Sequence, residues 1–145
     1  MNGDILPNVD SVVRLCGGSH LDPDTGSPGP GAFMLREGEN YLSVNWLEYF
    51  QQYSHEDRLL EVRRVLASKK KIGSAARLAL LNVGNAIQVV GDNPLLIFIH
   101  EPINSPDVIN DPSHSGINNI QSFEQLVAER LTQAVFELSA AKIDE

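Results

Sequence analysis

The stretch at residues 41–46, Tyr-Leu-Ser-Val-Asn-Trp, alternates polar and apolar side chains and therefore predicts a half-buried β-strand. Its leucine, valine and tryptophan would share one face, and its tyrosine, serine and asparagine the other. A second strand candidate covers residues 32–36, and residues 37–40, Glu-Gly-Glu-Asn, form a short polar connector between the two. We therefore expect a β-hairpin over residues 32–46.

Two further strands and a helix are indicated on either side of this hairpin. Residues 12–16 form an apolar run that stops at two glycines, as a short strand does. Ser54 and Asp57 have capping-box spacing, and apolar residues at helical spacing follow them as far as Ser68, so an amphipathic helix is predicted there. Residues 77–82 are apolar and are expected to form a strand that enters a short helix.

The second half of the chain supplies another strand and another helix. Residues 95–100 are almost continuously apolar, which predicts a strand covered on both faces. Ser122 begins a second capping-box pattern, and a single apolar stripe then runs through Phe123, Val127, Leu131 and Leu138, predicting a helix that ends near Lys142.

These elements predict an α+β protein with a single globular domain over residues 1–145. We expect a small mixed or antiparallel sheet of four to five strands, with two main helices, beginning at Ser54 and Ser122, packed on it. Residues 17–31 are rich in glycine and proline and are expected to form an exposed loop. Residues 101–117 contain three prolines and are expected to form a second loop.

Composition excludes several classes of protein. The chain has 145 residues, a hydrophobic content of 42% and no apolar run long enough to cross a bilayer. Its amino-terminal residues lack the basic and apolar segments of a secretion signal, so a soluble cytoplasmic protein is expected. A single cysteine, Cys16, permits no intramolecular disulfide.

Charge is distributed unevenly along the chain. The formal net charge is −8, yet residues 58–77 carry seven basic residues and one acidic residue. We interpret this basic segment as a solvated helix face that continues into a loop, and we do not expect the acidic chain to bind nucleic acid.

The residues best suited to acid–base chemistry lie at the end of the strand at 95–100 and in the loop after it. They are His100, Glu101, Asp111 and His114. Histidine titrates near neutral pH, and a neighbouring carboxylate can orient its ring, so these residues form a candidate catalytic site if the loop folds back. The alternative is that His114 is simply exposed and Asp111 caps a turn.

The sequence offers two other chemical sites, neither of which is favoured. The same histidines and carboxylates have the donor types of a zinc site but not the spacing that would fix its geometry, so neither a metal nor another cofactor is expected. Cys16, followed by two glycines and then His20 four residues on, could act as a nucleophile, but a lone cysteine at a strand end is more commonly buried.

Four aromatic residues lie close together in sequence. Trp46, Tyr49, Phe50 and Tyr53 fit helical spacing and would line one side of a helix. Core packing would bury all four, whereas Trp46, Tyr49 and Tyr53 would bind a protein partner wherever they stay exposed.

The strings at residues 42–48, Leu-Ser-Val-Asn-Trp-Leu-Glu, and 111–117, Asp-Pro-Ser-His-Ser-Gly-Ile, resemble those of a family of small bacterial proteins with no assigned function. The resemblance implies a bacterial origin and a shared fold. It implies no activity, substrate or catalytic residue.

Two functions from different classes follow from these patterns. The first is an acidic interaction module that binds a protein partner, in a toxin-neutralising or defence role, and it rests on the charge balance and the absence of a strong catalytic motif. The second is a small hydrolase or transferase that uses His114 with His100 and with Glu101 or Asp111. Convergence of the two histidines in one cleft would favour the enzyme. The oligomeric state is left open.

Overall fold

An antiparallel sheet of six strands is the centre of the computed structural model, which describes residues 3–104, 106, 109–120 and 124–143. In spatial order the strands are β4 (Ile97–His100), β5 (His114–Asn118), β2 (Leu42–Trp46), β1 (Ser11–Cys16), β3 (Arg77–Asn82) and β6 (Glu137–Ala140). Within those residue ranges the α-helices are α1 (His55–Lys69), α2 (Val83–Val90) and α3 (Glu124–Ala134). The α+β class is confirmed, but the sheet has six strands instead of the predicted four to five, and the short predicted helix, α2, packs on it in addition to the two main helices.

The sheet separates two hydrophobic cores. Helices α2 and α3 cover one face, where they pack on Val12 and alternate residues of the neighbouring strands. Helix α1 covers part of the other face, where it packs on Val13. Successive residues of β1 thus enter different cores, as the two-residue period of a strand requires.

Helix α1 forms as its sequence predicts. The Ser54 hydroxyl accepts a hydrogen bond from the Asp57 amide at 3.2 Å and so caps the first turn. Leu59, Val62 and Leu66 are its buried residues, and their spacing turns one stripe of the helix towards the sheet.

The predicted hairpin over residues 32–46 is wrong. Only its second strand exists, and that strand pairs with β1 and β5 along its two edges. The first half instead begins with a 3₁₀ helix, Pro30–Phe33, whose Ala32 and Phe33 are buried in the first core. Strand β5 pairs along one edge of β2, and β1 together with the Arg14 guanidinium takes the other, so residues 32–36 form no ladder with it.

The predicted loop at 101–117 is too long, because its last residues form the inner strand β5. Gly116 in this strand lies beneath the Tyr41 ring, and a Cβ there would be 2.5 Å from Tyr41 Cδ2. The sequence His-Ser-Gly-Ile-Asn has one β-branched residue, Ile117, and no Phe, Tyr or Trp, so it carries few of the residues typical of strands. The tyrosine ring supplies the packing that glycine cannot.

Strand β4 is also different from its prediction. It is one of the two edge strands among those named above, and Ile97 is 36% exposed rather than covered. The chain's first described residues lie beside it: the Gly3 amide donates to the His100 carbonyl, and the His100 amide donates to the Asp4 carbonyl.

The last predicted helix ends earlier than expected. Helix α3 stops at Ala134, and residues 137–140 pair with β3 as strand β6. Leu138 therefore belongs to a strand and is 38% exposed. Ser122 and Phe123, the predicted start of this helix, lie outside the described residues.

Residues 17–31 are mostly exposed, as predicted, although they contain a 3₁₀ turn at Gly18–His20 and a bridge between Leu21 and Pro28. In the described part of the chain, no helix is both long and apolar enough to cross a membrane.

Candidate functional site

A cavity of about 500 Å³ lies beside the carboxyl-terminal end of α1, on the α1 side of the sheet. We call it the cationic pocket because its lining contains Arg14, Arg36, Lys69, Lys70 and Lys71. Glu39 is the one carboxylate among the described residues that line it. Polar groups of β2 and β5 form its floor: Ser43, Asn45 and His114, with Tyr41 just before β2.

Arg14 stands where strands β1 and β2 stop pairing. The two strands are in register at only two positions, the last being Val13 with Asn45. The Arg14 guanidinium then donates to the carbonyl oxygens of Ser43 and Ala32, each at 2.9 Å. Burial lowers the pKa of Arg14 from its ordinary value. A buried cation thus replaces ladder hydrogen bonds at one wall of the pocket.

Lys70 is surrounded by other cations. Burial lowers the pKa of Lys70, and the nearby charges of Arg36, Arg14 and Lys69 lower it further, while the Glu39 carboxylate partly offsets them. Like charges brought this close oppose one another, so the pocket has a positive potential that an anion would relieve.

The basic residues of segment 58–77 therefore lie in different places in the fold. Lys69, Lys70 and Lys71 reach the pocket. By contrast, Arg58 donates to the Phe50 carbonyl and Arg63 donates to the Ala140 carbonyl. The expectation of a solvated basic segment is wrong for Lys69, which pairs with the buried Asp111, whereas Lys70 and Lys71 are exposed as expected. All three line a concave site together with two arginines from elsewhere in the chain.

A buried polar network supports the floor of the pocket. Asp111, which is fully buried, accepts from Asn45 Nδ2 at 2.8 Å and from Lys69 Nζ at 2.5 Å. The same Asn45 amide donates to the Ser113 hydroxyl at 2.9 Å. The network joins the end of α1 to β2 and to the turn that precedes β5.

His114 is held in a defined orientation at this floor. Its Nδ1 lies 2.8 Å from the Glu101 carbonyl oxygen, which can only accept, so Nδ1 carries the proton. In the neutral ring Nε2 is then an acceptor, and it lies 3.3 Å from the Ser43 hydroxyl. The Tyr41 ring packs against the imidazole edge to face, with centroids 5.9 Å apart. His114 is 5% exposed, which contradicts the alternative of a simply exposed loop histidine.

His100 does not join this site. It pairs with Ser115 across the β4–β5 ladder, so its side chain lies on the opposite face from that of His114. Its Nε2 donates to the Pro112 carbonyl at 2.7 Å, and its ring packs on Trp46 at a centroid distance of 5.0 Å. The two histidines therefore do not converge in one cleft, which is the arrangement that would have favoured an enzyme using both of them.

Asp111 and Glu101 are not placed as the predicted site requires. Asp111 is committed to Asn45 and Lys69, and Glu101 contacts His114 through its backbone carbonyl rather than its carboxylate. Over residues 3–104, 106, 109–120 and 124–143, no three His, Cys, Asp or Glu side chains are grouped so that they could hold a metal ion.

Cys16 is buried in the first core, and burial raises the pKa of its thiol to about 11. A protonated, inaccessible thiol is a poor nucleophile at neutral pH. The structure therefore gives no support to a nucleophilic Cys16.

The four clustered aromatic residues do not share one side of a helix. A short 3₁₀ helix, Leu47–Tyr49, follows β2, and Trp46 packs at the edge of the first core with its indole N–H donating to Asp10 at 2.9 Å. Tyr49 and Tyr53 are 40% and 45% exposed. Of the three predicted partner-binding residues, the two tyrosines are available at the surface and the tryptophan is largely packed.

Several residues of the pocket were missed in the sequence. These are Arg14, Arg36, Tyr41 and Ser43. One signal was available: Arg14 interrupts the apolar run of residues 12–16, and a charge in a buried strand needs a partner or a function.

No protein-family model matches the chain, and the searches of curated proteins and of solved structures likewise found no significant match. The resemblance to small bacterial proteins gains no support from these comparisons.

Proposed function

We propose that this protein binds a small anionic molecule in the cationic pocket. The observation that carries the proposal is the concentration of charge: five of the chain's eleven Lys and Arg residues line one cavity in a protein of net charge −8. Two of the five, Arg14 and Lys69, also have structural roles through their bonds to backbone carbonyls and to Asp111, whereas Arg36, Lys70 and Lys71 are exposed and can meet a ligand.

The size of the cavity favours a small ligand. Its volume of about 500 Å³ is within the usual range of small-molecule sites, roughly 300–1,000 Å³. A long polyanion would also meet the acidic remainder of the surface, which would repel it. The aliphatic side chains of Leu66 and Ile72 in the lining give the apolar contact that such sites combine with a few charges.

The proposal is tested by calorimetric titration with inorganic pyrophosphate and with citrate. We expect binding to wild type that weakens as salt is raised, because the attraction is electrostatic. The double variant Arg36→Gln/Lys70→Gln should bind at least about tenfold more weakly, since it removes two of the pocket's charges. The matched control, Arg64→Gln/Lys142→Gln, removes the same charge from exposed positions that do not line the pocket. Equal weakening in both variants, or no binding of either anion, would contradict the proposal.

A second candidate is the docking of a protein partner at Tyr49 and Tyr53. Both rings are exposed, and Phe50 stacks on Tyr53 with an angle of 9° between the ring planes. Residues 49–53 line a shallow hollow of about 300 Å³. The exposed acids Glu56 and Asp57 follow directly, so the partner we propose presents a basic surface.

This second candidate is tested by placing a photo-crosslinking amino acid at position 53 and, as a control, at the exposed position of Leu126 on α3. A discrete cross-linked product in the host from position 53 alone would support it. Cross-linking from neither position, or the same product from both, would argue against a docking surface at the tyrosines.

A further inference from the structure

Ser43 and His114 are adjacent on β2 and β5 and both line the cationic pocket. We infer that they form a nucleophile and general-base pair that cleaves a carboxylic ester carried by an anionic substrate. This inference rests on the proposed function, because the pocket's cations are what would hold the substrate in place.

The geometry required of such a pair is present. His114 Nε2 lies 3.3 Å from Ser43 Oγ, slightly longer than an ideal hydrogen bond and within the range common in unliganded sites. The third element of such a site is a group that orients the base. Here the Glu101 carbonyl, 2.8 Å from Nδ1, fixes the tautomer that leaves Nε2 free to accept a proton.

The neighbouring side chains make this orientation rigid. Asn45 pairs directly with His114 in the β2–β5 ladder and is held by Asp111, while the Tyr41 ring closes the imidazole from the side. The Arg14 guanidinium also binds the Ser43 carbonyl, which fixes the backbone of the nucleophile. A pair supported in this way needs little rearrangement on substrate binding.

The chemistry balances without a cofactor. Ser43 Oγ forms a bond to the ester carbonyl carbon while His114 Nε2 takes the hydroxyl proton. The ester C–O bond then breaks, and the proton passes from His114 to the leaving alcohol. Water next gives a proton to His114 and attacks the acyl-serine, and the proton returns to Ser43 as the acid is released. The net reaction is ester and water to acid and alcohol.

The positive pocket suits this reaction in two ways. It attracts a substrate with a carboxylate or phosphate group, and it stabilises the negative charge that develops on the carbonyl oxygen. The substrate class is therefore an ester that carries a separate anionic group, and an uncharged ester should react more slowly.

The test is covalent labelling of wild type with diisopropyl fluorophosphate, followed by peptide mapping. Ser43 Oγ would bond to phosphorus, fluoride would leave, and His114 would take the proton, giving a stable adduct. We expect one adduct, at Ser43, whose formation is slowed by bound pyrophosphate. His114→Gln should slow labelling at least about 100-fold, because glutamine cannot accept the proton. Ser68→Ala, at an exposed serine of α1, is the control and should be labelled like wild type.

The outcomes separate this inference from the function on which it rests. Wild type that binds pyrophosphate but carries no adduct at Ser43 overturns the catalytic pair and leaves the binding proposal intact. Labelling of Ser43 without pyrophosphate binding supports the catalytic pair and contradicts the proposal that the pocket binds an anion. Labelling of His114→Gln at the wild-type rate, with its fold verified by circular dichroism, also overturns the pair.

Discussion

Lys69 Nζ lies 2.5 Å from Oδ2 of Asp111, a carboxylate that is fully buried, and this ion pair connects the last turn of α1 to the turn that leads into β5. It places the lysines that follow α1 beside the floor of the cationic pocket. The pair therefore both stabilises the packing of α1 and positions the charges of the pocket.

Removal of this carboxylate should destabilise the protein. Asp111→Asn keeps the size of the side chain but leaves Lys69 and Asn45 without their charged acceptor. We expect a loss of about 2–3 kcal/mol in the free energy of unfolding, measured by urea titration. Glu61→Gln, which breaks the exposed pair with Arg64, should cost under about 0.5 kcal/mol. Similar small losses in both variants would show that the buried pair contributes little.

Gly116→Ala should be destabilising through Tyr41 alone. The added methyl group would lie 2.5 Å from Tyr41 Cδ2, so the ring must move or the strand must shift. We expect a cost of about 1–3 kcal/mol. In Tyr41→Ala the same glycine substitution should cost much less, and additive losses in the double variant would contradict this packing.

Lys70→Gln should make the protein more stable at pH 7. Burial and the surrounding cations lower the pKa of Lys70 in the folded state, so its charged form opposes folding at any pH below that lowered pKa. As pH rises towards the ordinary lysine value of 10.5, wild type loses this penalty and the advantage of the variant disappears. Thermal unfolding between pH 7 and 10.5 measures the difference, with Lys142→Gln as a control for loss of one charge. An advantage that is absent at pH 7, or that does not shrink with pH, would be contrary to this electrostatic account.

The rate at which the Cys16 thiol reacts with a reagent should depend on unfolding of the protein. Because it is buried and its pKa is raised to about 11, reaction with a disulfide reagent at pH 8 should be slow in the native protein and fast in urea. The native rate should follow the global unfolding equilibrium. A fast native reaction would place the thiol at the surface.

Local signals predicted the elements whose stability is largely local. The cap at Ser54 and the stripe through Leu59, Val62 and Leu66 are contained in one helix, and α1 was predicted almost to the residue. Strand β3 and the short helix after it were also predicted, from the apolar run at residues 77–82, although β3 pairs with β1 and β6. The elements that were missed depend on distant partners: β5 on Tyr41 and β2, and β6 on the free edge of β3.

For the candidate site, too, single residues were predicted from the sequence but their spatial arrangement was not. His114 and the three lysines were visible as unusual residues, but nothing in their spacing places them in one cavity. That requires the pairing of Asn45 with His114 and the end of α1 to be known. His100 was grouped with His114 because they are near in sequence, and the register of β4 and β5 puts them on opposite faces.

The most direct test of anion binding in the cationic pocket is an amide NMR titration of ¹⁵N-labelled wild type with inorganic pyrophosphate. The backbone amides of Gly17, Gly18 and Gly73, which line the pocket, should shift together in a saturable way. Those of Gly26, Gly84 and Gly91, which lie outside the lining, should stay unchanged. Saturable shifts confined to the pocket glycines are the predicted result. Shifts spread evenly over both sets, or none at the pocket glycines, would contradict the account.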